Sequence, residues 1–143
     1  MNHQTPSEIR LKPWGKEIWF AAKAGYVGKI LEVKQGGRLS LQYHERKTET
    51  QYVLSGKVKL TIGNEPVIPN TPDTENLREI VLNPGDKYDI LPYTVHRIEG
   101  LEDSIIFEVS TSETDDIVRL ADDYGRPKEG NHQELDRKLS EQK

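Results

Sequence analysis

Cysteine is absent from the 143 residues, so disulfides and thiolate metal sites are excluded and any metal has to be held by nitrogen and oxygen. Long apolar runs are missing as well. No stretch approaches the roughly 20 residues of a membrane span, and the opening "MNHQTPSEIR" lacks the apolar core of a signal peptide, so a cytoplasmic location is expected. Neither sign of charge dominates: 20 Lys and Arg stand against 24 Asp and Glu, a net charge of -4, which disfavours nucleic acid and anionic membrane as partners. Helical periodicity is nearly absent, and a chain of this length fits one core better than two.

What the sequence does contain is short alternating runs separated by Gly, Pro, Asn and Asp, the pattern of an all-β sandwich or barrel. The runs are Glu17–Ala22, Gly28–Lys34, Arg38–His44, Glu49–Leu54, Lys57–Ile62, Arg78–Leu82, Lys87–Leu91, His96–Glu99 and Ser104–Ser110. Between Gly63 and Leu77, "GNEPVIPNTPDTENL" holds three prolines and reads as a long loop, either a lid or a tolerated insertion. In "STSETDDIVRLADDYGR" the Ser and Thr caps, with Ile117, Val118 and Leu120, predict one short helix ended by Gly125. The remaining "PKEGNHQELDRKLSEQK", residues 127–143, is too polar to offset the entropy of ordering and is expected to be a frayed, disordered tail, with at most a solvated helical segment. Residues 1–11 are expected to be a flexible arm, leaving 12–126 as the single domain.

Alternation places Arg38, Ser40, Gln42 and His44 on one face of a strand, opposite Leu39, Leu41 and Tyr43. The next strand brings Glu49 near His44, and His96 opens a strand far downstream. Gly36, Gln42, His44, Glu49 and Gly56 then follow the spacing of the first cupin motif, with Gln42 where its first His stands. Gly85, Leu91, Pro92, Tyr93, His96 and Gly100 follow the second motif in spacing; His96 matches its His, whereas Leu91, Tyr93 and Gly100 stand where it has Pro, Gly and Asn. The chain thus resembles the cupins, double-stranded β-helix barrels of the jelly-roll kind.

Within that superfamily it is similar to the isomerase domain of type II phosphomannose (mannose-6-phosphate) isomerases. "KPWGKEIWF" is similar to their "RPWG" opening, "GGRLSLQYH" to "PGxxLSLQxH" and "DDIVRLADDYGR" to "DDIVRxEDxYGR". Between the ligand positions this chain has "HERKTET" where those relatives have a His-rich "HHHRAEH", so Lys47 stands at their Arg. The resemblance implies a divalent metal on Gln42, His44, Glu49 and His96, whether Zn, Mn, Fe, Co or Ni, with Zn slightly favoured. It also implies interconversion of mannose 6-phosphate and fructose 6-phosphate through a metal-stabilised enediol. A non-catalytic sugar-binding cupin, or another sugar isomerase or epimerase on the same scaffold, is the alternative. Read as a stand-alone domain, the chain is not expected to carry out guanylyl transfer. A homodimer is expected, because such folds often pair through edge strands.

An isomerase needs a base and a phosphate site. Glu108 is a candidate base if its face of Ser104–Ser110 lines the barrel, and a surface residue if Ile105, Phe107 and Val109 do. Lys29 shares a face with Leu31 and Val33, so it is either an inward amine or a lysine snorkelling from an edge strand. Arg38, Ser40, Arg97, Arg119 and Arg126 are the candidates for contacts to a small phosphorylated sugar, and Trp14 is expected to pack beneath the barrel or at a subunit contact.

Overall fold

Period-two runs ended by turn residues give strands, because each strand can then bury one face and solvate the other. In a computed structural model that describes residues 8–142, they form β1 (Glu8–Lys12), β2 (Gly15–Lys23), β3 (Tyr26–Val33), β4 (Leu41–Tyr43), β5 (Glu49–Ser55) and β6 (Val58–Ile62). These are followed by β7 (Arg78–Leu82), β8 (Lys87–Ile90), β9 (His96–Gly100), β10 (Ser104–Ser110), β11 (Val118–Ala121) and one helix, α1 (Gln133–Ser140). Two antiparallel sheets result, one ordered β1-β2-β3-β10-β5-β8 and the other β11-β4-β9-β6-β7. Strands far apart in sequence lie side by side, β3 with β10 and β4 with β9, as in a jelly roll.

Leu31, Val33, Val53, Leu60, Ile90, Ile98 and Ile106 fill the space between the sheets, each at most 1% exposed. Trp14 joins this cluster at 2% exposure, as the expectation of packing beneath the barrel required. The glycine of "KPWG" is fixed by a close approach. Gly15 has φ +151°, and a Cβ there would sit 1.8 Å from the Glu32 carbonyl oxygen, so β2 can run against β3 only without one.

The choice left open for β10 is settled by its burial pattern. Ser104, Ile106, Glu108 and Ser110 are buried, whereas Phe107 and Val109 are exposed and Ile105 is intermediate. Glu108 therefore faces inward, in register with Lys29 of β3 and Gln51 of β5. Lys29 is likewise inward at 4% exposure.

Three expectations are corrected. The stretch 110–126, expected to hold one short helix, instead contributes β11, which pairs with β4, so the waiting strand edge outweighs the local capping signals. Of the expected arm, residues 8–11 belong to β1, and residues 1–7 lie outside the described residues. The helix occurs in the expected tail, where Asp136 of α1 is fully buried and salt-bridged to Lys12 and Arg126. An ionic anchor orders this segment where apolar surface is scarce.

Candidate metal centre

His44 lies just after β4, Glu49 opens β5 and His96 opens β9, so three strand ends deliver the three side chains to one point inside the barrel. The turn between His44 and Glu49 is organised by Asp116, whose carboxylate accepts the backbone N–H groups of Glu45, Arg46 and Lys47 at 2.9, 2.6 and 2.9 Å. His96 Nε2 is 3.3 Å from Glu49 Oε1, and His44 Nε2 is 3.8 Å from Glu49 Oε2. One ligand atom from each residue falls within 4.8 Å of the others, and all three residues are buried.

The imidazole tautomers follow from their partners. His44 Nδ1 is 2.6 Å from the Asp116 carbonyl oxygen and His96 Nδ1 is 2.9 Å from that of Thr94. A carbonyl only accepts, so each Nδ1 carries the proton and each Nε2 presents a lone pair. Both Nε2 atoms are buried with no hydrogen-bond partner. Burial would raise the Glu49 pKa, but the Lys47 ammonium beside it holds it well below the usual range, so it is a carboxylate. Two lone pairs and an anion directed at one point make an unfavourable arrangement unless a cation lies between them. Two imidazole nitrogens and a carboxylate oxygen are a donor set that suits a divalent transition ion, and both Nδ1–H groups are already oriented by carbonyls. Gln42 is opposite His96 in the β4–β9 register, and its Oε1 accepts the Ser40 hydroxyl at 2.6 Å. An amide oxygen has two lone pairs, so one is left over for a metal.

Beside Glu49 begins a chain of buried charges alternating in sign. Lys47 Nζ is 2.9 Å from Glu49 and 3.4 Å from Glu108, and Lys29 Nζ is 3.7 Å from Glu108 and 4.0 Å from Glu17. Lys12 follows, 4.0 Å from Glu17 and 2.8 Å from Asp136, and Arg126 is 3.3 Å from Asp136 and 2.8 Å from Asp122. Burial of single charges is costly, and alternation is what makes the chain tolerable. Gln51 Nε2 donates to the second Glu108 oxygen at 2.6 Å, and the Tyr88 hydroxyl donates to Gln51 Oε1. Burial works against the Lys47 charge, but Glu108 and Glu49 together raise its pKa, so the amine stays protonated.

These groups surround a cavity of about 50 Å³, room for an ion with one or two waters. Gln42, His44, Glu49 and His96 line it, as do Lys29, Glu108, Ser40, Arg97, Arg119 and Arg126. Arg38 is the correction. Regular pairing starts only at Leu41, so alternation does not extend back to residue 38, and the guanidinium instead grips Asp123 at 2.8 and 2.7 Å near the surface, outside the cavity lining. Arg97 reaches the cavity but spends its Nε and Nη2 on the carbonyls of Leu39 and Ala121. The loop 63–77 contributes no residue to this lining. Sequence reasoning missed the part played by Lys47, Gln51, Glu17, Lys12 and Asp136. Alternation from Glu49 was the available signal for Lys47 and Gln51, each two residues from a metal-ligand candidate.

Comparison with known proteins agrees with this architecture. The family model described as "Mannose-6-phosphate isomerase C-terminal" matches residues 2–122. Mannose-1-phosphate guanylyltransferase of Escherichia coli K12 is 32% identical over 130 residues, covering 87% of this chain and 24% of that protein. The xanthan biosynthesis protein XanB of Xanthomonas campestris pv. campestris B100 is 32% identical over 123 residues, 80% of this chain and 23% of its own length. The chain thus spans about a quarter of the curated relatives it matches. Among solved structures, an RmlC-like cupin from Shewanella frigidimarina superposes with a TM-score of 0.58 at 14% identity, over 73% of this chain and 83% of that one. The fold is a cupin.

Proposed function

Because the chain belongs to the mannose-6-phosphate isomerase C-terminal family, we propose that it is a metal-dependent aldose–ketose isomerase of sugar phosphates, acting on mannose 6-phosphate and fructose 6-phosphate. The observation that carries this reading is the convergence of two partnerless Nε2 atoms on the Glu49 carboxylate, with Glu108 and two ammonium groups alongside. His44, Glu49 and His96 hold the ion, with Gln42 as a neutral fourth donor. A divalent ion bound there supplies Lewis-acid polarisation of the sugar's carbonyl and adjacent hydroxyl oxygens.

The protein's own groups supply the proton chemistry. Glu108 takes the proton from C2 of the aldose and returns it to C1, the two positions being close enough for one carboxylate to serve both, while the O2 hydroxyl proton passes to O1. Lys29 lies between Glu17 and Glu108 and is matched by both carboxylates, so the role of base falls to Glu108 and Lys29 steadies it. The Lys47 ammonium, 3.4 Å from Glu108 and kept protonated, offsets the negative charge that spreads over O1 and O2 as C2 is deprotonated. A sugar phosphate needs far more space than about 50 Å³, since small-molecule sites run from about 300 Å³ upward. Substrate entry therefore requires the cavity to widen, and Thr114, Ile117 and Asn131 line it from stretches without regular structure. Guanylyl transfer, the activity for which relatives are named, is not part of this proposal.

The test is to purify the protein with its metal, quantify that metal by mass spectrometry, and follow mannose 6-phosphate isomerisation with and without chelator. Metal-dependent turnover is expected. Turnover that survives complete metal removal refutes the mechanism, and binding of metal and sugar phosphate without turnover makes the domain a binding module.

A further inference from the structure

Six cationic side chains line the cavity, and they differ in what neutralises them. Lys12, Lys29, Lys47, Arg97 and Arg126 each have a carboxylate within 4.0 Å. Among the described residues Arg119 has none, although it is only 6% exposed. Its Nη1 donates to the carbonyls of Pro127 at 3.0 Å and Gly130 at 2.7 Å, which fixes the plane of the guanidinium. Its Nε–H is buried and has no partner. Burial and then the nearby Arg126 lower the Arg119 pKa, and Asp122, Asp136 and Asp115 offset this only from a distance, without a direct ion pair.

The register relates the backbone of Arg119 to that of the metal-ligand candidates. Arg119 of β11 is opposite Gln42 of β4, and Gln42 is opposite His96 of β9, so the three form one row across the sheet. Two strand spacings separate the Cα atoms of Arg119 and His96, roughly 9 to 10 Å. That is the scale of an extended six-carbon sugar with a terminal phosphate.

We propose that Arg119 is the phosphate receptor of the site, its unpartnered Nε–H edge donating to the dianion of a phosphate monoester whose other end lies at His44, Glu49 and His96. The assignment rests on the isomerase reading for the identity of the ester, and on the buried, unpaired guanidinium for its place. It also separates Arg119 from Arg126, which Asp122 and Asp136 already neutralise, and from Arg97, which is held by two carbonyls.

The experiment compares the metal-loaded protein with its Arg119→Gln and Arg119→Lys variants, using inorganic phosphate as the calorimetric probe and mannose 6-phosphate as substrate. Arg119→Gln is expected to weaken phosphate binding at least tenfold and to raise KM at least tenfold, with kcat within threefold and metal content unchanged. Arg119→Lys should recover part of the loss, since an ammonium keeps the charge but not the fork. Phosphate affinity of Arg119→Gln within twofold of the parent overturns the proposal, as does a parent protein that binds no phosphate. Should Arg119→Gln fail to fold, a crystal of the parent soaked in phosphate decides: an anion within hydrogen-bond distance of Nε supports the site, and density only elsewhere overturns it. Phosphate bound at Arg119 without any isomerisation leaves this site standing and refutes the isomerase reading. Isomerisation with an unchanged KM in Arg119→Gln does the reverse.

Discussion

Replacing Asp136 by Ala tests whether an ion pair, rather than apolar area, docks α1. The carboxylate is 0% exposed and is held by Lys12 Nζ at 2.8 Å and Arg126 Nη1 at 3.3 Å. Removing one partner of a buried pair typically costs about 3–5 kcal/mol, because the remaining charge is left without compensation. Here each cation keeps a second carboxylate, Glu17 at 4.0 Å from Lys12 and Asp122 at 2.8 Å from Arg126, which places the expected loss at the lower end, about 3 kcal/mol. For a chain of this size that is a fall in Tm of roughly 10 °C. Asp136→Asn keeps the shape and part of the hydrogen bonding and should lose less. Glu134→Ala, on an exposed position of the same helix that among the described residues pairs only with the exposed Arg137, should leave the urea midpoint close to that of the parent. Urea titration followed by circular dichroism reads all three. Equal midpoints for Asp136→Ala and Glu134→Ala would refute the reasoning and return α1 to the status of a solvated appendage.

Acid should weaken the fold through two carboxylates remote from the metal ligands. Burial would raise the Glu17 pKa, but Lys29 and Lys12 bring it below its ordinary 4.5, and hydrogen bonds from Arg126 outweigh burial to bring Asp122 below 3.8. A lowered folded-state pKa contributes stability that is complete above the ordinary value and is lost as pH falls through the folded one. The urea midpoint is therefore expected to hold down to about pH 5 and to fall below about pH 4.5, and a flat profile to pH 3 contradicts it. Gly15→Ala should destabilise by about 3 kcal/mol or more, given a Cβ placed 1.8 Å from the Glu32 carbonyl oxygen at a φ that favours glycine. A midpoint within 1 kcal/mol of the parent shows that β2 can move off β3 without loss.

Much of the fold was legible because its strands obey one rule. Arg78–Leu82 and Ser104–Ser110 occur with the expected bounds, and the other expected strands shift by one or two residues, apart from the shortened β4. The failure within 110–126 has a definite cause. Ile117 and Leu120 suit a helical face, whereas Val118 and Leu120 suit a strand face, and a short segment cannot decide between the two. The β4 edge decided it, with Val118 opposite Tyr43 and Arg119 opposite Gln42. The tail failed for a different reason. Composition counts apolar surface, and α1 is fastened by a carboxylate to a lysine 124 positions earlier in the chain, an interaction that no local window contains.

The site divides in the same way. His44, Glu49 and His96 were legible because ligand spacing repeats a pattern, and a pattern survives without coordinates. The arginines were not separable, because what distinguishes Arg38, Arg97, Arg119 and Arg126 is which oxygen each one meets, and those oxygens come from other strands. Lys47 lies between these cases. It occupies the position of an Arg in the resembling isomerases, in a stretch that looked like a variable connection between two strands. Instead it is 4% exposed and joins Glu49 to Glu108. A guanidinium presents a planar fork, whereas an ammonium is a compact charge with three rotatable donors, able to bond two carboxylates from different strands and still point a proton at the cavity. One point at which this sequence departs from the resembling isomerases is thus a wall of the cavity, and the change of cation there alters the charge geometry inside it.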